Sequence, residues 1–191
     1  LGSKSTAIGF QALKTQNFTT ATDSHNVAMG YFAGQALTTG TENTIIGSEA
    51  GKTLTTGSEN VAVGYAALAF EDGHGKNTAV GWSALKNLNA GGNAFNTAVG
   101  NNAGRDMGVG TENTLVGAQS GDAITSGSQN VAMGVNALGS ETSGTFNIAL
   151  GREALKTQNG GTYNIGVGRT AGMLITTGVQ NVIMGGNAGD A

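Results

Sequence analysis

The chain of 191 residues holds 34 Gly, no Pro and no Cys, with 11% charged and 5% aromatic residues and a net charge of −3. Soluble domains usually carry about 25% charge and about 7% Gly, so an ordinary globule is excluded, as is collagen, which needs Gly at every third place and abundant Pro. Disulfide scaffolds and thiolate zinc sites are excluded by the missing Cys, the charge gives nucleic acid or an anionic membrane nothing to bind, and no apolar run nears the ~20 residues of a membrane helix.

A segment Asn-(Thr/Val/Ile)-small-aliphatic-Gly recurs along the whole chain, with its Gly at 9, 30, 47, 64, 81, 100, 117, 134, 151, 168 and 185. The first unit opens on Ser5 in place of Asn and is followed by an insertion, Thr15 to His25. Units two to four follow at strict 17-residue intervals. The fifth, Asn77-Thr78-Ala79-Val80-Gly81, leads into Ala84-Leu85-Lys86 and a second insertion, Asn87 to Phe95. From there to the end every interval is again 17 residues. A unit this short cannot hold a helical hairpin, whose repeats run to about 33 residues or more. The β-branched, period-2 segments bounded by Asn and Gly read as strands, and Thr55-Thr56-Gly57-Ser58 and its equivalents read as Gly-rich turns. The expected fold is all-β, a parallel β-solenoid (β-roll) of eleven coils of about 17 residues, each with two or three short strands, stacked about 4.8 Å apart.

The Asn column, Asn26, Asn43, Asn60, Asn77, Asn96, Asn113, Asn130, Asn147, Asn164 and Asn181, has a structural explanation. Stacked amides can pass hydrogen bonds from coil to coil, and Asn tolerates a left-handed corner.

Alternation sends neighbouring strand residues to opposite faces. Two places before the Gly the lane is mostly Ala, with Ile45, Leu115, Gly166 and Ile183 as exceptions. One place before it stand Ile8, Met29, Ile46, Val63, Val80, Val99, Val116, Met133, Leu150, Val167 and Met184, all aliphatic. A strand apolar on both faces is buried on both, and one solenoid has a single inside. The second lane is therefore expected to meet other copies, in a parallel homotrimer.

Four places after the Gly the sequence reads Leu13, Gly34, Gly51, Leu68, Leu85, Gly104, Gly121, Leu138, Leu155, Gly172, Gly189. Where Gly stands there, an aliphatic follows three residues later, as at Leu37, Leu54, Met107, Ile124 and Ile175; where Leu stands there, that place holds Gln16, Glu71, Leu88, Glu141 or Gln158. This order suggests duplicated four-coil blocks, approximately 5–76, 77–146 and 147–191, within one repeat domain 1–191. The pattern starts and stops without a polar cap, so the rod is expected to continue into other domains or to stack end to end.

Asn77 to Leu85, Asn-Thr-Ala-Val-Gly-x-x-Ala-Leu, resembles the repeats of phage and prophage tail-fibre proteins, and its core Ala-(Ile/Val)-Gly-x-x-Ala resembles the head repeats of YadA-like trimeric autotransporter adhesins. The resemblance covers essentially the whole chain. It implies a left-handed roll and a trimer, although the adhesin heads use shorter coils.

Chemistry is sparse. With two His, no Cys and twelve acids, converging catalytic groups are not expected, nor is a cofactor or metal. Before the Asn stand His25, Glu42, Glu59, Lys76, Glu112 and Gln129; Glu42 above Glu59 could hold a cation, but reads better as a screened pair relieved by Lys76. His74, in Glu71-Asp72-Gly73-His74-Gly75, reads as a polar turn. Tyr31, Tyr65 and Trp82, in the column just after the Gly, could stack on sugars or cover a corner or trimer seam. Arg152 above Arg169 forms a small basic spot. The two insertions are the natural places for binding loops. The expected function is a noncatalytic structural and adhesive shaft of an extracellular fibre, virion or cell-surface, binding itself and a host glycan or protein. An end-to-end filament, an ice-binding solenoid and a polysaccharide-degrading β-helix are the alternatives.

Overall fold

The computed structural model describes residues 2–189; Leu1, Asp190 and Ala191, the ends of the expected repeat domain, lie outside them. Among the described residues there is no helix, and eleven short strands form one parallel sheet in sequence order. They are β2 Thr6–Ile8, β4 Val27–Met29, β5 Thr44–Ile46, β6 Val61–Val63, β7 Thr78–Val80, β8 Thr97–Val99, β9 Thr114–Val116, β10 Val131–Met133, β11 Ile148–Leu150, β12 Ile165–Val167 and β13 Val182–Met184. A second, two-stranded sheet pairs β1 Gly2–Ser3 with β3 Thr22–Asp23. The protein is a β-solenoid, and equivalent residues of successive coils pair in register, as Thr78↔Thr97, Ala79↔Ala98 and Val80↔Val99 do.

The main sheet takes only one three-residue strand from each coil, where two or three strands were expected. Left-handed corners replace the others. Three places in nearly every coil have positive φ: the residue before the Asn, and those two and four after the marker Gly, for example Glu59 (60°), Ala66 (52°) and Leu68 (53°). Each turns the chain sharply without a long loop. The marker Gly takes a conformation that side chains avoid, near +135° at Gly81, and a Cβ on Gly30 would stand 2.5 Å from the carbonyl oxygen of Gly47 in the next coil.

The interior is thin. Ala lanes from the sheet and from three places after the Gly face each other, with Ala28, Ala62, Ala79, Ala98, Ala33, Ala67 and Ala84 all fully buried. The exceptions in the sheet's Ala lane now have a reason. Ile45 fills the space over Gly34 and Gly51, Leu115 that over Gly104 and Gly121, and Ile183 that over Gly172 and Gly189. A Cβ on Gly104 would come within 2.8 Å of Leu115 Cδ1 and 2.9 Å of Leu85 Cδ2. Two successive Gly coils thus admit one large residue from the opposite wall, and Leu coils meet Ala. Gly166 follows the converse rule, since a Cβ there would meet Leu155 Cγ at 2.8 Å.

Leu115→Ala should leave a void walled by two glycines that cannot fill it, and should cost ~3 kcal/mol of stability by denaturant unfolding; a cost under ~1 kcal/mol would show that the wall collapses.

Candidate functional site

The Asn column is a continuous hydrogen-bonded ladder. The backbone N–H of each Asn from Asn43 to Asn181 donates to the side-chain oxygen of the Asn one coil earlier, at 2.9–3.1 Å. In the other direction the amide NH2 of most of them donates to the carbonyl 14 residues on, as Asn26 does to Gly40 at 2.7 Å, Asn113 to Gly127 at 2.9 Å and Asn147 to Gly161 at 2.8 Å, while that of Asn77, before the second insertion, turns to Gly75 at 3.2 Å. At the head of the column, Ser5 Oγ accepts from Asn26 N at 3.3 Å. The ten Asn do not occupy the left-handed corner, contrary to expectation; His25, Glu42, Glu59, Lys76, Glu112 and Gln129 do, one place earlier. Each Asn has to enter the strand extended, because its carbonyl accepts the next ladder bond, as from Val27 N to Asn43 O at 2.8 Å.

The polar residues seven places after the Gly were not read as interior, yet Glu71, Glu141 and Gln158 are fully buried. Glu141 Oε1 accepts from the N–H groups of Thr142, Ser143, Gly144 and Gly160 at 2.6–3.0 Å, and its Oε2 accepts from Gln158 Nε2 at 2.9 Å. Gln158 Oε1 in turn accepts from Asn164 Nδ2 at 2.9 Å. Glu71 repeats the device: Oε1 accepts from His74 N at 3.1 Å and Oε2 from Ala90 N at 3.2 Å. Both carboxylates stand at the join of two Leu coils and tie a coil to the next. Their spacing of 70 residues (141 − 71) was the available signal.

Glu71, Asp72 and His74 bring three donor groups within 4.8 Å of one another. Glu71 is already engaged with N–H groups, and His74 Nδ1 lies 3.2 Å from its Oε1. Glu42 and Glu59 are exposed, with Lys76 Nζ 3.9 Å from Glu59. Arg152 and Arg169 are exposed, and Arg152 lies 3.8 Å from Glu153. Among the described residues the surface contains no cavity. The insertion Thr15–His25 is held down by β3 and by buried Phe18; in Asn87–Phe95, Leu88, Ala90 and Ala94 are buried, and Asn87, Asn89, residues 91–93 and Phe95 are exposed.

A charge cluster lies across coils six and seven. Arg105 is paired with Asp106 at 2.5 Å and lies 3.9 Å from Asp122, and Asn87 donates to Asp106 at 3.0 Å. The hydrogen bond from Arg105 lowers the Asp106 carboxyl below its usual value, while burial raises that of Asp122 despite the attraction of Arg105. The signs oppose. Asp106 adds stability that is lost as pH falls through its lowered value; Asp122 costs stability at neutral pH, and that cost disappears as pH falls through its raised value.

The aliphatic lane from Ile8 to Met184 lies on the outer face of the sheet, exposed at Ile8, Met29, Val99, Met133 and Met184 and half-buried between. The lane three before the Gly shares that face. Tyr31 stacks on Phe10 at 5.6 Å and 12°, and Tyr65 on Trp82 at 5.8 Å and 18°, so a neighbouring ring covers one face of each. Phe146 on Tyr163, at 4.8 Å and 5°, is a stack that sequence reading missed.

Asn113→Ala removes the acceptor of Asn130 N–H and the donor to Gly127 O together, and should cost ~3 kcal/mol in denaturant unfolding. Asp122→Asn should melt at or above the wild-type temperature at pH 7, with the difference closing below about pH 3; a lower melting temperature at pH 7 would mean that the attraction of Arg105 prevails. Compared with known proteins, the chain matches no family model, no curated protein and no solved structure.

Proposed function

We propose that this chain is a noncatalytic shaft segment of an extracellular fibre, a phage tail fibre or a cell-surface adhesin, in which copies lie side by side. Three copies about a common axis is the arrangement that the family resemblance favours. A rigid rod gives reach, and repeated weak contacts with a host glycan or protein gain strength from the number of identical chains. One observation carries this reading. The outer sheet face runs the length of the eleven-stranded stack with an unbroken aliphatic lane, exposed at five places and half-buried at the others, and apolar patches of that extent mark interaction surfaces. Burying the exposed members of the lane would contribute at most roughly 1.5–3 kcal/mol each, and the half-buried ones less, which stands in for the missing disulfides.

A second reading has one observation in its favour. In coils five to seven the face presents Thr78 and Val80, Thr97 and Val99, Thr114 and Val116 in rows paired in register, a spacing suited to an ice surface. The Met and Val interruptions elsewhere weigh against it, and freezing hysteresis in dilute solution would decide for it.

Val80→Asp combined with Val99→Asp places two charges in the middle of the lane and should convert the assembly to monomer or aggregate in sedimentation. A wild-type chain that stays monomeric at every attainable concentration would overturn the self-association reading.

A further inference from the structure

The outer face offers three lanes, at three before, one before and one after the marker Gly. Among these positions only Arg152 and Arg169 are charged, and none of the twelve acids is there. The middle lane is aliphatic throughout, but the flanking lanes change along the rod. In the first five coils the lane after the Gly carries Phe10, Tyr31, Tyr65 and Trp82, each between 45% and 62% exposed. From coil nine it carries Arg152, Arg169 and Gly186. The lane three before the Gly does the reverse: it is Thr78, Thr97 and Thr114 in the middle coils and wholly aliphatic in the last four, at Val131, Ile148, Ile165 and Val182. Val27 and Val61 make coils two and four apolar in both flanks. The apolar band therefore keeps its centre and shifts its weight from one flank to the other.

Building on the self-association reading, we infer that neighbouring copies of this chain cover the face with the rods inclined to one another at a shallow angle, engaging the aromatic flank at the N-terminal end and the Val/Ile flank at the C-terminal end. A face that repeats at the coil spacing over its whole length is matched by a face of the same period and length, and another copy supplies one. Eleven coils by four residues of extended chain is roughly 50 Å by 13 Å, about 650 Å², close to the ~800 Å² per partner of a stable interface. The scarcity of charge suits a protein face of the same composition. A stripe that drifts across two identical rods brings them together at an angle, as drifting apolar stripes do in supercoiled helices.

The test is the self-association constant of surface variants by sedimentation equilibrium, with thermal melting to show that each variant folds. Trp82→Ser and Ile165→Ser should each weaken association by about tenfold or more, as buried anchors do. Arg169→Ser and Thr78→Ser, on the complementary flanks, should each change it by less than about twofold. Equal losses from all four variants, or no loss from Trp82→Ser and Ile165→Ser, would overturn the inclined arrangement while leaving self-association intact. A wild-type chain that does not associate would overturn both.

Discussion

Every coil has to present the same backbone to the coil before it and the coil after it, and the structure depends on that constraint. A parallel stack leaves no freedom at a fixed height: an N–H out of place at one coil orphans a carbonyl at the next, at a cost of about 1–3 kcal/mol. The Asn ladder enforces the register, because each side chain accepts from the coil that follows and donates back to the Gly-rich corner. Asp in the same place would accept but not donate, and Ser, which at Ser5 accepts from Asn26 N at 3.3 Å, has no amide NH2 to donate to the corner as well. This is why one residue type fills ten of eleven places.

The same constraint accounts for the unusual corners. Residues such as Leu85, at φ +48°, and Phe95, at +53°, sit where L-residues are disfavoured by roughly 1–2 kcal/mol. The corners of one coil are together held by both neighbouring coils, as by the bond from Leu85 N to Ala103 O at 3.0 Å in the coil after and from Ser83 N to Tyr65 O at 2.8 Å in the coil before. Strain of this kind persists only when the surroundings over-determine it. Length is therefore part of the stability: a coil in the middle of the rod has two neighbours to hold its corners, and a terminal coil has one.

The period, the parallel stacking and the two apolar faces were legible in the sequence because each follows from strict repetition. The corners were not. Left-handed φ at Glu, Lys, Phe and Leu leaves no compositional mark comparable to Gly, so the coil was read as having more strands than it has. Ile45, Leu115 and Ile183 looked like exceptions until each was seen over its pair of glycines, a contact between residues 6 to 11 places apart that a column-by-column reading separates. Buried Glu141 was hidden for a related reason: four of its five donors are backbone groups, which have no sequence signature. Tyr31, Tyr65 and Trp82 were visible as a column, but not as rings that cover one another.

Most joints between coils are interchangeable, with Ala against Ala and Asn upon Asn. The joints at Glu71 and Glu141 are different, because each carboxylate finds donors in one particular neighbour: Ala90 for the first, Gly160 and Gln158 for the second. They act as keyed fittings in an otherwise uniform stack. A rod of this kind can gain or lose length by whole four-coil segments, which bring both halves of each fitting, but the loss of a single coil at a keyed joint would leave a buried carboxylate facing the wrong partner. The steps in which such a fibre can be lengthened in evolution are thus set by its polar interior and not by its 17-residue period.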